Sequence, residues 1–432
     1  DGITLTDLDT TDGSITVVAG GSIVATAVDS ADAGSDETHA VSLTASTGDI
    51  TIGAITSDST LTIVATAGSI NDAGDDTTTD LTSASNTIVL TAQDEIGGNA
   101  ATMSTDTAGA IEVAANSALD VSSTTAGNLV LSGAGVLTLT DLDTTDGSIT
   151  VSAAGALTAT DVVAGGGTGD SVTLSTTTGG AVATLVTGAD AVSITADAGD
   201  ITIGAVTATA GTLGVTATTG SINDAADDST ADFTAVGLIT LTAQDEIGVL
   251  GSGTDTDLEF AASSSVNVST TGTGAIDLDG LGALTLSDVD TADGTITVTS
   301  AGALTVTDVA TGNNNAIALT TSSGDITGLA TVNAGSGAVT LNAAGAIVDD
   351  SDASTVVTGG VLTADAAGAI TIDSTVTSAD ISTSAAGAIA LDETDGITLT
   401  DLDTTDGSIT VSAGGALTAT DVVAGGGTGD SV

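Results

Sequence analysis

The sequence predicts an all-β protein, a parallel β-helix (β-solenoid) with coils of roughly 19–22 residues. Three observations lead there: a long stretch that repeats, a short aliphatic formula that recurs along the chain, and a composition without Pro, Trp or Tyr.

Residues 139–172, LTDLDTTDGSITVSAAGALTATDVVAGGGTGDSV, return at 399–432 with one change, Ala154 to Gly414. A diverged copy begins at Leu286, and the chain opens on DGITLTDLDTTDGSITV, which recurs intact from Asp395. Read from Leu5, Leu139, Leu286 and Leu399, the copies stand 134, 147 and 113 residues apart. Gain or loss of whole coils leaves such unequal spacing, which stacked repeats tolerate because each coil touches only its neighbours. No shift in composition marks a linker. The expectation is one continuous array over 1–432, with superrepeat units at about 1–134, 135–281, 282–394 and a partial 395–432. A start in mid-repeat suggests an excerpt or a processed chain.

The local formula is a Gly or small polar residue, any residue, an aliphatic, any residue and a second aliphatic. GSITV from Gly13, GDITI from Gly48, GAIEV from Gly109, GALTL from Gly282 and GAITI from Gly368 are examples. Alternation with a period of two is a strand signal, with aliphatics turned to one face and Thr or Ser to the other. In GALTLSDVDTADGTITV from Gly282, the segments LTLS, DVD and TITV read as three sides of one coil, with Gly and Asp at the turns. A larger unit is also visible: GDITIGAITSDSTLTIVATAGSINDAGDD from Gly48 matches a stretch from Gly199, and both run on to LTAQDEIG, at Leu90 and Leu241.

A slender interior filled by Val, Ile, Leu and Ala explains the missing rings, because each aromatic side chain would need roughly 150–250 Å² of burial. Phe233, Phe260 and Met103 are then local gap fillers. The absence of proline fits a ladder in which nearly every backbone N–H is donated to the next coil. The alternative is a string of tandem immunoglobulin-like β-sandwiches, which share the strand spacing but ordinarily use a large core residue and proline in their turns.

Composition narrows the partners. The chain has no Lys or Arg and a formal net charge of −57 from 51 Asp and 6 Glu. Without cations it cannot neutralise phosphates, so nucleic acid and anionic membranes are excluded as partners and divalent cations are the natural ones. Asp favours turns over helices, which places the acid at the corners. No apolar run approaches a membrane span.

AGSINDAGDD, NTIVLTAQDEIG, GAITID and GAVTLNAAGAI resemble the repeats of filamentous-haemagglutinin-like adhesins, giant secreted bacterial proteins built on a right-handed parallel β-helix. The resemblance covers essentially the whole chain through a degenerate pattern. It implies a bacterial cell-surface or extracellular location and a role in adhesion or matrix building, as in a biofilm. This chain departs from many such adhesins in lacking basic residues. GGGTGDSV, at Gly165 and Gly425, also resembles the calcium-binding nonapeptide of secreted toxins and adhesins. It lacks one residue of that motif and stands alone each time, so it reads as a turn.

The candidate metal ligands are clustered carboxylates, since Ca²⁺ takes six to eight hard oxygens and a Gly-enabled turn can gather them. D-x-D-x-x-D-G occurs at Asp7, Asp9, Asp12; at Asp141, Asp143, Asp146; at Asp288, Asp290, Asp293; and at Asp401, Asp403, Asp406. A second group is Asp72, Asp75, Asp76, echoed by Asp224, Asp227, Asp228. The plainer reading of both is an acidic corner that gathers counterions. QDEIG, with Asp94, Glu95 and Asp245, Glu246, reads as a solvated turn. The single imidazole, His39, lies in the polar stretch DAGSDETHAVSL without Cys or Tyr nearby, so no enzyme activity is expected.

The functional expectation is an extracellular structural or adhesive repeat protein: a stiff acidic rod or filament segment, conditioned by calcium and able to associate end to end. The alternatives are an adhesin module that binds glycans or a partner protein, and an ice-binding solenoid with Thr-x-Thr pairs.

Overall fold

The structure, a computed structural model, describes residues 1–30, 39–74, 77–98, 109–226, 229–248, 257–352, 356–427 and 429–432. The described chain is all-β and helix-free, a parallel β-helix of about 19 turns with coils of about 21 residues. It divides into two compact units, Asp1–Thr218 and Thr219–Val432.

In the first unit, the five-residue strands Leu129–Gly133, Ile149–Ala153, Val172–Thr176, Val192–Ala196 and Leu213–Ala217 form one parallel ladder. Their register aligns Leu129, Ile149, Val172, Val192 and Leu213 in a single column. All five side chains are buried. The second unit repeats the arrangement with Ile276, Ile296, Ile317, Val339 and Leu362. Each such side chain withdrawn from water contributes about 1.5–3 kcal/mol, and a column adds that stabilisation coil by coil. Every register pairing among the described strands is parallel. Immunoglobulin-like sandwiches are built from antiparallel strands, so that alternative is overturned.

Two sides of a coil are one strand in some coils and separate strands in others, as in Leu304–Val306 and Asp308–Thr311. LTLS and DVD, read as two sides, form one eight-residue strand, Leu284–Thr291. The bend is taken by a β-bulge: Val266 pairs with Leu286 and Asn267 with Asp288, which skips Ser287. Thr140 and Thr400 are skipped in the same way in Leu137–Thr144 and Ile397–Asp406. One extra residue shifts the alternation by one step. Leu137, Leu139 and Leu142 therefore all face inward, although the last two are three positions apart, and all are buried.

Phe233 and Phe260 fill the interior of the second unit as expected. They pair in register on neighbouring strands, and their rings stack with centroids 5.4 Å apart. Met103 lies outside the described residues.

Candidate metal centres

The D-x-D-x-x-D-G stretches are corners in which two acids stay on one side and the third passes the turn. In Leu137–Thr144, Asp141 and Asp143 point outward while Leu142 and Thr144 turn inward. The buried Thr144 hydroxyl donates to the Gly147 carbonyl at 2.5 Å and closes the corner. Thr10 to Gly13, Thr291 to Gly294 and Thr404 to Gly407 make the same bond at 2.6, 2.8 and 2.6 Å. Past the corner, Asp146 faces Asp170, Asp293 accepts from the Asn315 side-chain amide at 2.9 Å, and Asp12 lies 3.3 Å from the His39 ring. Among the described residues, none of the four stretches gathers three carboxylates within ligating reach of one another.

Repulsion accumulates instead along the strands, which corrects the expectation of acid confined to corners: Asp120, Asp373, Asp380 and Asp392 all lie within strands. Register places Asp9 beside Asp29, Asp120 beside Asp141, Asp373 beside Asp392 and Asp380 beside Asp401. Like charges directly opposite on adjacent strands are destabilising. Asp7 is the main cause that raises Asp9 above the usual carboxylate range. Burial comes first for Asp143 and Asp403, with Asp141 and Asp401 next. Burial followed by Asp288 takes Asp290 to about 6.

Two other groups do converge, one in each unit. Asp72, Asp80 and Glu112, and likewise Asp224, Asp232 and Glu259, each bring one ligand oxygen per residue to within 4.8 Å of the other two. Asp224 ends the strand Ile222–Asp224, Asp232 precedes Phe233–Ala235, and Glu259 is the centre of Leu258–Phe260. Asp72, Asp80 and Glu112 occupy the equivalent places beside Ile70–Asp72, Leu81–Ser83 and Ile111–Val113. Ile111 and Val113 face the aliphatic interior, so strand alternation turns Glu112 the other way; Leu258 and Phe260 do the same to Glu259. Both glutamates are nevertheless covered, at 7% and 1% exposed. The Glu112 backbone N–H donates to Asp80 Oδ2 at 3.0 Å, and the Glu259 N–H donates to Asp232 Oδ2 at 2.9 Å.

Glu259 is the most deeply covered of the six. Its Oε1 is buried without a hydrogen-bond partner, and so is Oδ1 of Asn223, the residue before Asp224. Burial first, and then the neighbouring Asp232, push Glu259 far above the usual carboxylate range. No Lys or Arg exists anywhere in the chain to compensate such a group.

The sequence pattern identifies Asp72 and Asp224 as members of these groups. Asp75, Asp76, Asp227 and Asp228 lie outside the described residues. The remaining members are reached only through the coil: Asp80 and Asp232 each stand eight positions further on, and the glutamates a coil beyond. A usable signal does exist. IEVAANSALDVSS from Ile111 matches LEFAASSSVNVST from Leu258, which puts two of only six glutamates at equivalent strand centres.

His39, at the end of its polar stretch, is 5% exposed, with its ring nitrogens 3.3 Å from Asp12 and 3.9 Å from Asp58. In QDEIG, Asp94 and Asp245 are exposed, whereas Ile96 and Ile247 are buried and bridge in parallel to strands on both sides. The following Gly97 and Gly248 adopt φ of 64° and 80°, and a Cβ there would lie 2.2 and 2.1 Å from the carbonyl oxygens of Val130 and Asp277. In GGGTGDSV, Asp170 and Asp430 accept the N–H of Gly167 and Gly427 at 2.9 and 2.7 Å, so these carboxylates cap their own turns.

Set against known proteins, the chain matches no protein-family model, no curated protein and no solved structure.

Proposed function

We propose that the chain is a structural segment of an extracellular bacterial surface or matrix protein, an acidic β-solenoid whose stability is set by divalent cations. The observation that carries this reading is the stacked acid. Aspartates face aspartates across adjacent coils, and no Lys or Arg is present to separate them. Monovalent salt screens exposed charges over a Debye length of about 8 Å, but stacked strands stand about 4.8 Å apart, inside that range. Divalent ions bound between coils relieve the repulsion directly.

The resemblance of the repeats to filamentous-haemagglutinin-like adhesins supports the location and the adhesive or matrix-building role. The near-identity of residues 139–172 and 399–432 favours a spacer with uniform faces over a module that recognises a glycan or protein with one specialised face. We propose no catalytic activity. Thermal unfolding followed by circular dichroism, in EDTA and in millimolar Ca²⁺ at about 150 mM monovalent salt, tests the reading. A melting temperature that rises with Ca²⁺ is expected; coincident melts would overturn the cation dependence.

A further inference from the structure

We infer that Asp224, Asp232 and Glu259 form a specific site for one hard divalent cation of the size of Ca²⁺, and that Asp72, Asp80 and Glu112 form its twin in the other unit. The inference deepens the cation dependence proposed above and rests on it for its physiological sense.

Four observations point to an ion. The donor set is carboxylate oxygen alone, the chemistry that Ca²⁺ prefers. Its geometry suits that radius: two oxygens each about 2.3–2.6 Å from one ion stand at most about 4.6–5.2 Å apart, and the three ligand oxygens lie within 4.8 Å of one another. Glu259 supplies the independent sign of a missing ligand. It is 99% buried and sits within the group, yet its Oε1 has no hydrogen-bond partner. Another buried glutamate, Glu393, makes the contrast. That residue accepts from the Ser374 hydroxyl at 2.7 Å and from the N–H groups of Val376 and Asp395. Finally, the same set of two Asp and one Glu recurs at equivalent places in both units, and the same Glu N–H to Asp bond positions them.

The placement also says what the ion does. Phe233 pairs with Phe260, so Asp232 and Glu259 sit on adjacent coils. Val113 pairs with Leu81, which places Asp80 and Glu112 in the same relation. A cation held there cross-links one coil to the next where three acids would otherwise repel.

Isothermal titration of the full chain with Ca²⁺ after EDTA treatment, at about 150 mM monovalent salt to suppress diffuse binding, tests the inference. Two sites per chain are expected. Glu259→Gln, which keeps the side-chain volume, reduces the count to one or weakens that site about 100-fold or more. Glu112→Gln does the same to the twin, and the double variant binds none tightly, while Asp141→Asn with Asp143→Asn leaves both sites intact. Wild-type protein without tight binding, or Glu259→Gln with two undiminished sites, overturns the inference. The wild-type count keeps the test decisive if a variant fails to fold. Failure of the broader reading looks different: two tight sites with melts that ignore Ca²⁺ leave the sites standing and remove the stabilising role. A Ca²⁺-dependent melt without tight sites does the reverse.

Discussion

Replacing Asp277 by Asn should stabilise the protein at alkaline pH and do nothing at pH 4. Asp277 lies on Ile276–Gly280, and burial, then Asp257 and Asp279, raise its carboxyl from 3.8 to about 6. The native state therefore holds a proton that the unfolded chain has released between about pH 4 and 6. Its contribution to stability is fully present below the unfolded value and is lost as pH rises through the folded one. A difference of 6 − 3.8 is 2.2 units; at 1.36 kcal/mol per unit that is about 3 kcal/mol, which solvent screening reduces to about 1–3 kcal/mol. Asn mimics the protonated acid at every pH. Urea unfolding in EDTA should thus show Asp277→Asn more stable than wild type by about 1–3 kcal/mol at pH 8, with the gap closing at pH 4. Wild-type protein should itself gain stability from pH 8 to pH 5, the reverse of ordinary acid denaturation. A variant that is less stable at pH 8, or a gap of equal size at both pH values, would show that ionised Asp277 does not destabilise the fold.

Gly248→Ala should cost roughly 2–4 kcal/mol in thermal or urea unfolding, because its Cβ would meet the Asp277 carbonyl oxygen at 2.1 Å in a positive-φ turn. Gly214→Ala, where nothing lies within 4 Å and φ is not positive, should be near neutral. Thr144→Val keeps the shape of the buried corner but removes the donor to the Gly147 carbonyl. A loss of about 1–3 kcal/mol is expected, and Thr144→Ser should recover most of it.

The parallel coils are legible in the sequence because an aliphatic at every second position and a repeat near 21 residues both follow directly from a strand laid on its own predecessor. The phase within a coil is less legible. Thr140, Ser287 and Thr400 look like ordinary outward residues, yet each is the extra residue of a bulge, and only the pairing across coils exposes it. The buried Thr144, Thr291 and Thr404 are likewise hidden among exposed threonines, since inward and outward hydroxyls look alike until the bulge resets the alternation. The acids split for a similar reason. Asp12 is close in sequence to Asp7 and Asp9 and yet parted from them by a corner. Asp232 and Glu259 are distant in sequence, yet stacking brings them together. His39 meets Asp12 and Asp58, acids distant in sequence that its local stretch does not announce.

If divalent ions supply the positive charge that Lys and Arg would otherwise provide, the two covered carboxylate groups are where they bind. A long-wavelength anomalous difference map from crystals grown in Ca²⁺ should then show a peak among Asp224, Asp232 and Glu259 and another among Asp72, Asp80 and Glu112. Density only at exposed acids such as Asp141 and Asp143, with none in either group, would mean that the ions bind elsewhere.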